Sequence, residues 1–252
     1  ILTALNTVNI LPYVSKEIKD YWYHTLIHMY TQFGIDKDLL DLCMAEYYIP
    51  DETYVYSIAW NRHVCFAILS IGLLTLGKYQ EARMFALEYE RFVQSQRFSK
   101  NFAQNFFSVG LAYMRSLKIL IYAILNHPID TEDFKSLKKD IAPTQFSGLV
   151  VFYLSAAINN HNFELEKKSQ FYFRKMIDTA KQLGFKNRLV LLACDLAIER
   201  LAVMKNKNLY IEFLEFRIEI SKHLTYMTSS GLSELISKTS DLTNFKNELN
   251  HS

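Results

Sequence analysis

Residues that break helices are scarce here: 252 residues contain only 7 Gly and 4 Pro. So few turning points argue against a loop-built fold, and the scattered glycines form no loop able to cradle a phosphate. Cysteine is rare as well. Cys43, Cys65 and Cys194 lie far apart, form no CxxC pair and have no zinc-ligand spacing. We read them as reduced thiols of a cytoplasmic protein that needs no cofactor. Neither sign of charge dominates, since 28 Lys and Arg face 26 Asp and Glu for a net charge of +2. Direct nucleic-acid binding is disfavoured by that balance, because it calls for a strongly basic face. No apolar run reaches the roughly 18 residues a bilayer span requires. The stretch that comes nearest, Cys65 to Leu76, is too short, and no signal-peptide pattern is visible.

What the chain has in quantity is large apolar side chains. Half of it is hydrophobic, with 18 Phe and 16 Tyr, which favours helices packed through bulky contacts. Apolar positions recur at helical spacing from Ser15 to Gly34 through Ile18, Tyr21, Trp22, Ile27 and Tyr30. A short helix is expected from Asp36 to Tyr48, ended by Pro50. Asp51 is placed to cap the next helix, which stops at Gly77. Further helices are expected from Lys78 to about Gln94, from Asn101 to Leu125 before Pro128, and from Thr131-Glu132-Asp133 onward. Four more are expected near 148–160, 163–183 with Gly184 as the stop, 187–205 and 208–227. A final polar helix begins at Gly231. Alternation of period two is not sustained anywhere, so the fold class is all-α.

The most informative stretch runs from Phe66 to Glu90. Phe66, Leu69, Ser70 and Leu73 lie on one helix, Gly77-Lys78-Tyr79 makes the link, and Glu81, Ala82 and Ala86 lie on the next. Gly ends the first helix in a left-handed conformation, and Ala82 lets the two axes approach closely. This pattern resembles a tetratricopeptide-type helix hairpin, with Ser70 and Tyr89 departing from it; Tyr89 would require a wider or rotated contact. Weaker echoes occur at Asn160-His161-Asn162-Phe163 and at Asn206-Lys207-Asn208-Leu209-Tyr210. The resemblance implies an irregular tetratricopeptide-like solenoid of stacked hairpins that leaves a groove. It treats residues 1–252 as one helical-repeat domain, with 229–252 as a terminal capping or dimer helix.

In architecture and composition the array also resembles the C-terminal sensor domain of Rgg/PlcR-type regulators. That resemblance implies a homodimer that binds a short signalling peptide and acts in transcription regulation and quorum sensing. DNA contact would come only through a helix-turn-helix domain outside this chain. The chain begins at Ile1 without Met, which we read as a fragment lacking that N-terminal domain.

His24 and His28 stand four apart on a predicted helix, a spacing that can bring two imidazoles to one metal. No third ligand and no adjacent Glu accompany them, so we read the pair as ordinary helix-surface or interface histidines and expect no metal site. No Ser, His and Asp set stands out, so the chain is not expected to be an enzyme. Peptide binding calls for polar groups on the inner faces of the first helices of hairpins, where Asn and Arg can hold backbone amides or a carboxylate. The candidates are Asn61, Arg62, Gln104, Asn105, Tyr113, Arg115, Tyr153, Asn159 and Arg188. Taken singly, each more often marks a solvent face or links repeats through hydrogen bonds. Phe171-Tyr172-Phe173, with Phe102, Phe106, Phe107 and Tyr113, can line an apolar groove or form plain core. The expectation is a peptide-sensing domain of a regulator; the alternative is a constitutive tetratricopeptide-type scaffold. No membrane partner is expected.

Overall fold

The computed structural model describes residue 66 and residues 69–95, 103–141, 146–182, 184, 187–204 and 206–225. At 90, 92–95, 103–111, 131, 146–147 and 225 it describes the backbone alone. The expected helices before Phe66, the one from Gly231 onward, and Cys43, Cys65, His24 and His28 lie outside the described residues. The chain divides into two compact units, Ile1–Phe98 and Ser99–Ser252. Among the described residues there are eight helices and no strand, as the sequence pattern implies.

The first unit contributes a hairpin. Helix α1 (69–75), with Phe66 one turn before it, is followed by α2 (Tyr79–Ser95). Gly77 sits at φ +70°. Its N–H donates to the Leu74 carbonyl at 3.1 Å, while the Lys78 N–H reaches back to Leu73 at 2.8 Å. These two bonds are the paired closure of a helix C-terminus that requires a left-handed residue. Ala82 and Ala86 are buried on α2. Tyr89, the residue that breaks the small-residue pattern, is buried too, and its ring stacks on Phe66 at 4.3 Å and 18° between planes.

The second unit holds α3 (Ala103–Ile124), α4 (Thr131–Asp140), α5 (Phe146–Asn162), α6 (Glu166–Gln182), α7 (Arg188–Leu201) and α8 (Lys207–Thr225). Successive helices pair as α3 with α4, α5 with α6 and α7 with α8, and the first helices also touch, α3 against α5 and α5 against α7. The closure seen at Gly77 recurs twice without glycine. Asn126 at φ +54° donates to Ala123 while His127 donates to Tyr122, and Glu164 at φ +58° donates to His161 while Leu165 donates to Asn160. Gly184, at φ +63°, ends α6. Asx side chains open the following helices. Asp130 accepts from the Glu132 N–H, Asn187 from Val190 and Asn206 from Leu209, each satisfying a donor that the helix leaves free.

Small residues bring α5 and α6 close together. Ala156, Ala157, Ser169 and Ala180 are all fully buried, and the Ser169 hydroxyl donates across the hairpin to the Ala157 carbonyl at 2.8 Å. Helix α7 is apolar on nearly every face, with ten of its fourteen residues buried, as expected of a helix enclosed by others. Asp195 is the polar interruption. It accepts from Arg217 Nε at 2.6 Å, and the Arg217 Nη1 donates to the Ser221 hydroxyl at 3.0 Å. Arg217 is the bulkiest fully buried side chain among the described residues. Cys194 beside it is buried, and burial first, then the Asp195 charge, raises its thiol above the ordinary range. That thiol is a packed apolar group, not a nucleophile.

Two stability outcomes follow. A non-glycine left-handed residue costs about 1–2 kcal/mol, partly offset by the extra unfolded-state freedom a glycine would bring. Glu164→Gly is therefore expected to raise stability by roughly 0.5–1 kcal/mol in urea denaturation; an unchanged or lower midpoint refutes the strain. Asp195→Ala leaves the Arg217 guanidinium without its carboxylate and is expected to cost about 3 kcal/mol, whereas Asp195→Leu combined with Arg217→Met stays near neutral. Equal losses in both variants would show that the packing, not the charge, matters.

Candidate peptide-binding cleft

Helix α4 rests on α3 and helix α6 on α5, and no comparable contact joins α4 to α6. The space between them is an open cleft of about 670 Å³. Helix α4 is held in place by Arg115 of α3. Its Nη1 donates to Asp140 at 2.6 Å and its Nη2 to the Ser136 hydroxyl at 2.8 Å, with Asp133 at 3.9 Å. Below the cleft, Ala112, Ile119, Leu137, Ile141 and Phe152 form a buried cluster, with Ile129, Phe134, Leu149 and Tyr153 packed against its edge.

The cleft is lined by both apolar and basic side chains. Ile129 and Phe134 supply the α4 side, and Phe171 and Tyr172 the α6 side. These rings belong to one series. Phe134 meets Phe152 at 4.6 Å, Phe152 meets Tyr153 at 5.7 Å, Tyr153 stacks on Tyr172 at 6.4 Å, and Tyr172 meets Phe171 edge-on at 5.3 Å. Such offset and edge-on contacts are the arrangements aromatic quadrupoles favour, and they fix the ring orientations. Phe171 remains 55 % exposed. Lys135, Lys167 and Lys168 stand around these rings. Lys135 is bonded to Glu132 at 2.7 Å. Lys167 and Lys168 follow Glu166, whose Oε1 accepts from Gln170 Nε2 at 3.0 Å.

The last turn of α5 adds polar groups. Asn159 and Asn160 both line the cleft. Asn160 Nδ2 donates to the Ala156 carbonyl of its own helix at 2.7 Å, which leaves its side-chain oxygen as an acceptor. Asn162 reaches across to the Ala123 carbonyl of α3 at 2.7 Å and ties the two helix ends together. His161, between them, is held below its ordinary value of 6.5 by burial and by the Arg200 charge, against an opposing pull from Glu166.

Of the residues nominated from the sequence, Asn159 lines the cleft and Tyr153 backs it through the Tyr172 stack. Arg115 is engaged in holding α4 and lines no part of the cleft. Tyr113, whose phenol is raised above 10 by burial, and Arg188, at the first turn of α7, also lie outside it. Asn61 and Arg62 lie outside the described residues, as do the side chains of Gln104 and Asn105. The aromatic run divides: Phe171 and Tyr172 reach the cleft, while Phe173 is fully buried against Phe213 at 6.0 Å. Phe102, like the side chains of Phe106 and Phe107, lies outside the described residues.

Ile129, Phe134, Lys135, Asn160, Lys167 and Lys168 also line the cleft and are not among the residues nominated from the sequence. One usable signal was present. Lys167-Lys168 precedes Phe171-Tyr172 by four residues, a spacing that puts each lysine beside one ring on a helix surface.

A second hollow of about 390 Å³ lies beside Gln170, Asn206, Lys207 and Asn208. Asn206 is already used there to cap α8 and to donate to Gln170 at 3.0 Å. Among the described residues no group of three His, Cys, Asp or Glu could hold a metal ion, and no helix is long and apolar enough to cross a membrane. Comparison with protein-family models, with curated proteins and with solved structures finds no match.

The His161 shift has a pH consequence. A histidine that binds its proton less tightly when folded favours the unfolded chain once the pH is low enough to protonate it. Its contribution is unchanged above pH 6.5 and is lost as the pH falls below that value. His161→Asn is expected to flatten the decline in stability between pH 6.5 and 5 relative to the unsubstituted chain. Parallel curves for the two proteins would contradict the assignment.

Proposed function

We propose that this chain is a peptide-binding helical array of tetratricopeptide type, acting as the sensing domain of a regulator. The observation that carries the reading is the α4–α6 cleft, where a fixed aromatic bed lies beside asparagine amides and lysines. Rigid rings give apolar contact at little entropic cost. An asparagine side chain both donates and accepts, which suits it to a peptide backbone. The succession of three hairpins, with first helices touching first helices, supports the repeat assignment. A regulator of this kind would work by favouring one of two states for which the peptide has unequal affinity.

A constitutive scaffold is the second reading, favoured by large apolar side chains exposed at the helix turns. Phe163 is 62 % exposed and Val203 75 %, and exposed apolar surface is a mark of protein contact.

The test is an array of immobilised eight-residue peptides probed with the full chain, with retained sequences followed by calorimetry and thermal unfolding. Bound peptide at about one hundred times its Kd is expected to add about 2.7 kcal/mol of stability. A chain that retains no peptide overturns the proposal. Peptide-dependent change of oligomeric state in sedimentation identifies a sensor; an unchanged state identifies the scaffold.

A further inference from the structure

We infer that the α4–α6 cleft selects an acidic segment of a partner polypeptide, with carboxylates seated on Lys167 and Lys168 and an aliphatic or aromatic side chain against Phe171 and Tyr172. The inference rests on the peptide-binding reading and adds to it the chemistry of the occupant.

Charge complementarity decides the occupant. The groups lining the cleft include three lysines and two asparagines and no carboxylate. Glu132 is bonded to Lys135 of the lining, and Glu166 accepts from Gln170. No carboxylate lies within 4 Å of Lys167 or Lys168 among the described residues, and both ammonium groups are on the exposed surface of α6. A chain with a net charge of only +2 therefore concentrates positive charge at one apolar hollow.

The apolar half restricts the occupant further. Ile129, Phe134, Phe171 and Tyr172 cannot be satisfied by an anion alone, so the segment must bring an apolar side chain between its carboxylates. The volume of about 670 Å³ lies within the range of pockets that enclose a few side chains. Single-stranded nucleic acid fits less well. It needs a basic track repeated along its phosphates, and Lys167 and Lys168 are adjacent on one helical turn, with Lys135 already paired.

The location differs from the one expected from sequence. The recognition groups lie on second helices of hairpins and on the last turn of α5, not on the inner faces of the first helices.

The test uses the full chain and a synthetic heptapeptide of alternating Asp or Glu with Leu or Phe, blocked at both ends so that no terminal charge contributes. A neutral analogue carries Asn and Gln in place of the acids. Calorimetry is expected to show binding of the acidic peptide that weakens with added salt and at least tenfold weaker binding of the neutral one. Lys167→Glu with Lys168→Glu is expected to weaken the acidic peptide at least tenfold, and Phe171→Ala to weaken it about fivefold. Lys139→Glu, on exposed α4 surface outside the cleft, is expected to retain binding within twofold, and circular dichroism checks the helicity of each variant. Equal binding by the unsubstituted chain and the double lysine variant overturns the inference and leaves the peptide-binding reading standing. So does preference for the neutral peptide, or displacement of the acidic peptide by an oligothymidylate. Failure of every peptide, acidic, neutral or from the array, overturns both.

Discussion

A helix that is apolar along one face cannot stay in water alone, and here the remedy is a partner laid back along it by a sharp reversal of the chain. The reversal requires one residue at positive φ after the first helix, because two adjacent N–H groups must then turn inward to meet the last free carbonyls. Gly77, Asn126 and Glu164 hold that position in three hairpins, and Gly184 does so at the step from one hairpin to the next. The contacts within these hairpins presuppose the turns. Ala157 meets Ser169 because Glu164 brings α6 back along α5, and Phe134 meets Phe152 because Asn126 releases α4 to lie across α3. The cleft is bounded by what these two turns position.

The α7–α8 hairpin shows a different solution. Among its described residues none has positive φ, and the pairing is reinforced by a guanidinium buried against Asp195. A second polar tie joins α6 to α8, where Glu212 accepts from Lys181 at 2.8 Å and from Arg174. Burial alone would raise the Glu212 carboxyl, but those two hydrogen bonds outweigh it and hold it below the ordinary range. An ion pair inside a core contributes direction more than net stability. Of the two ties only the Arg217 pair has a fully buried partner, whereas the Glu212 pair lies at the partly exposed edge of α6 and α8.

The helical class and the glycine stops could be read from sequence because both are local. Helical periodicity with few breakers leaves no room for a sheet, and Gly77 and Gly184 signal their conformation by having no side chain. Asn126 and Glu164 were not legible as stops. Pro128 marked only the neighbourhood of the first, and Glu is an ordinary helix former whose left-handed conformation is imposed by the hairpin. Arg217 was hidden for a similar reason, since a basic residue in a helix reads as surface until Asp195, 22 positions earlier, is brought beside it. The cleft was legible only in fragments. Asn159 and the Phe171-Tyr172 pair stand out individually, but the hollow exists because α4 packs on α3 and α6 on α5 rather than closely on each other, and that leaves no pattern in a sequence. Arg115 has a use that sequence does not signal: an arginine in an apolar helix suggests a ligand, and here its guanidinium bonds Asp140 and Ser136 of the next helix.

The walls of the cleft differ in stiffness. Helix α5, which presents Asn159 and Asn160, is enclosed by α3, α6 and α7, and displacing it would disturb three interfaces at once. Helix α4 is ten residues long, anchored through the Arg115 bonds, Leu137 in the cluster below and the Phe134 ring. The compliance of the cleft is therefore one-sided. The α4 wall rests on a few polar bonds at the periphery and the α5 wall on the core, so the two sides of the hollow would resist deformation unequally.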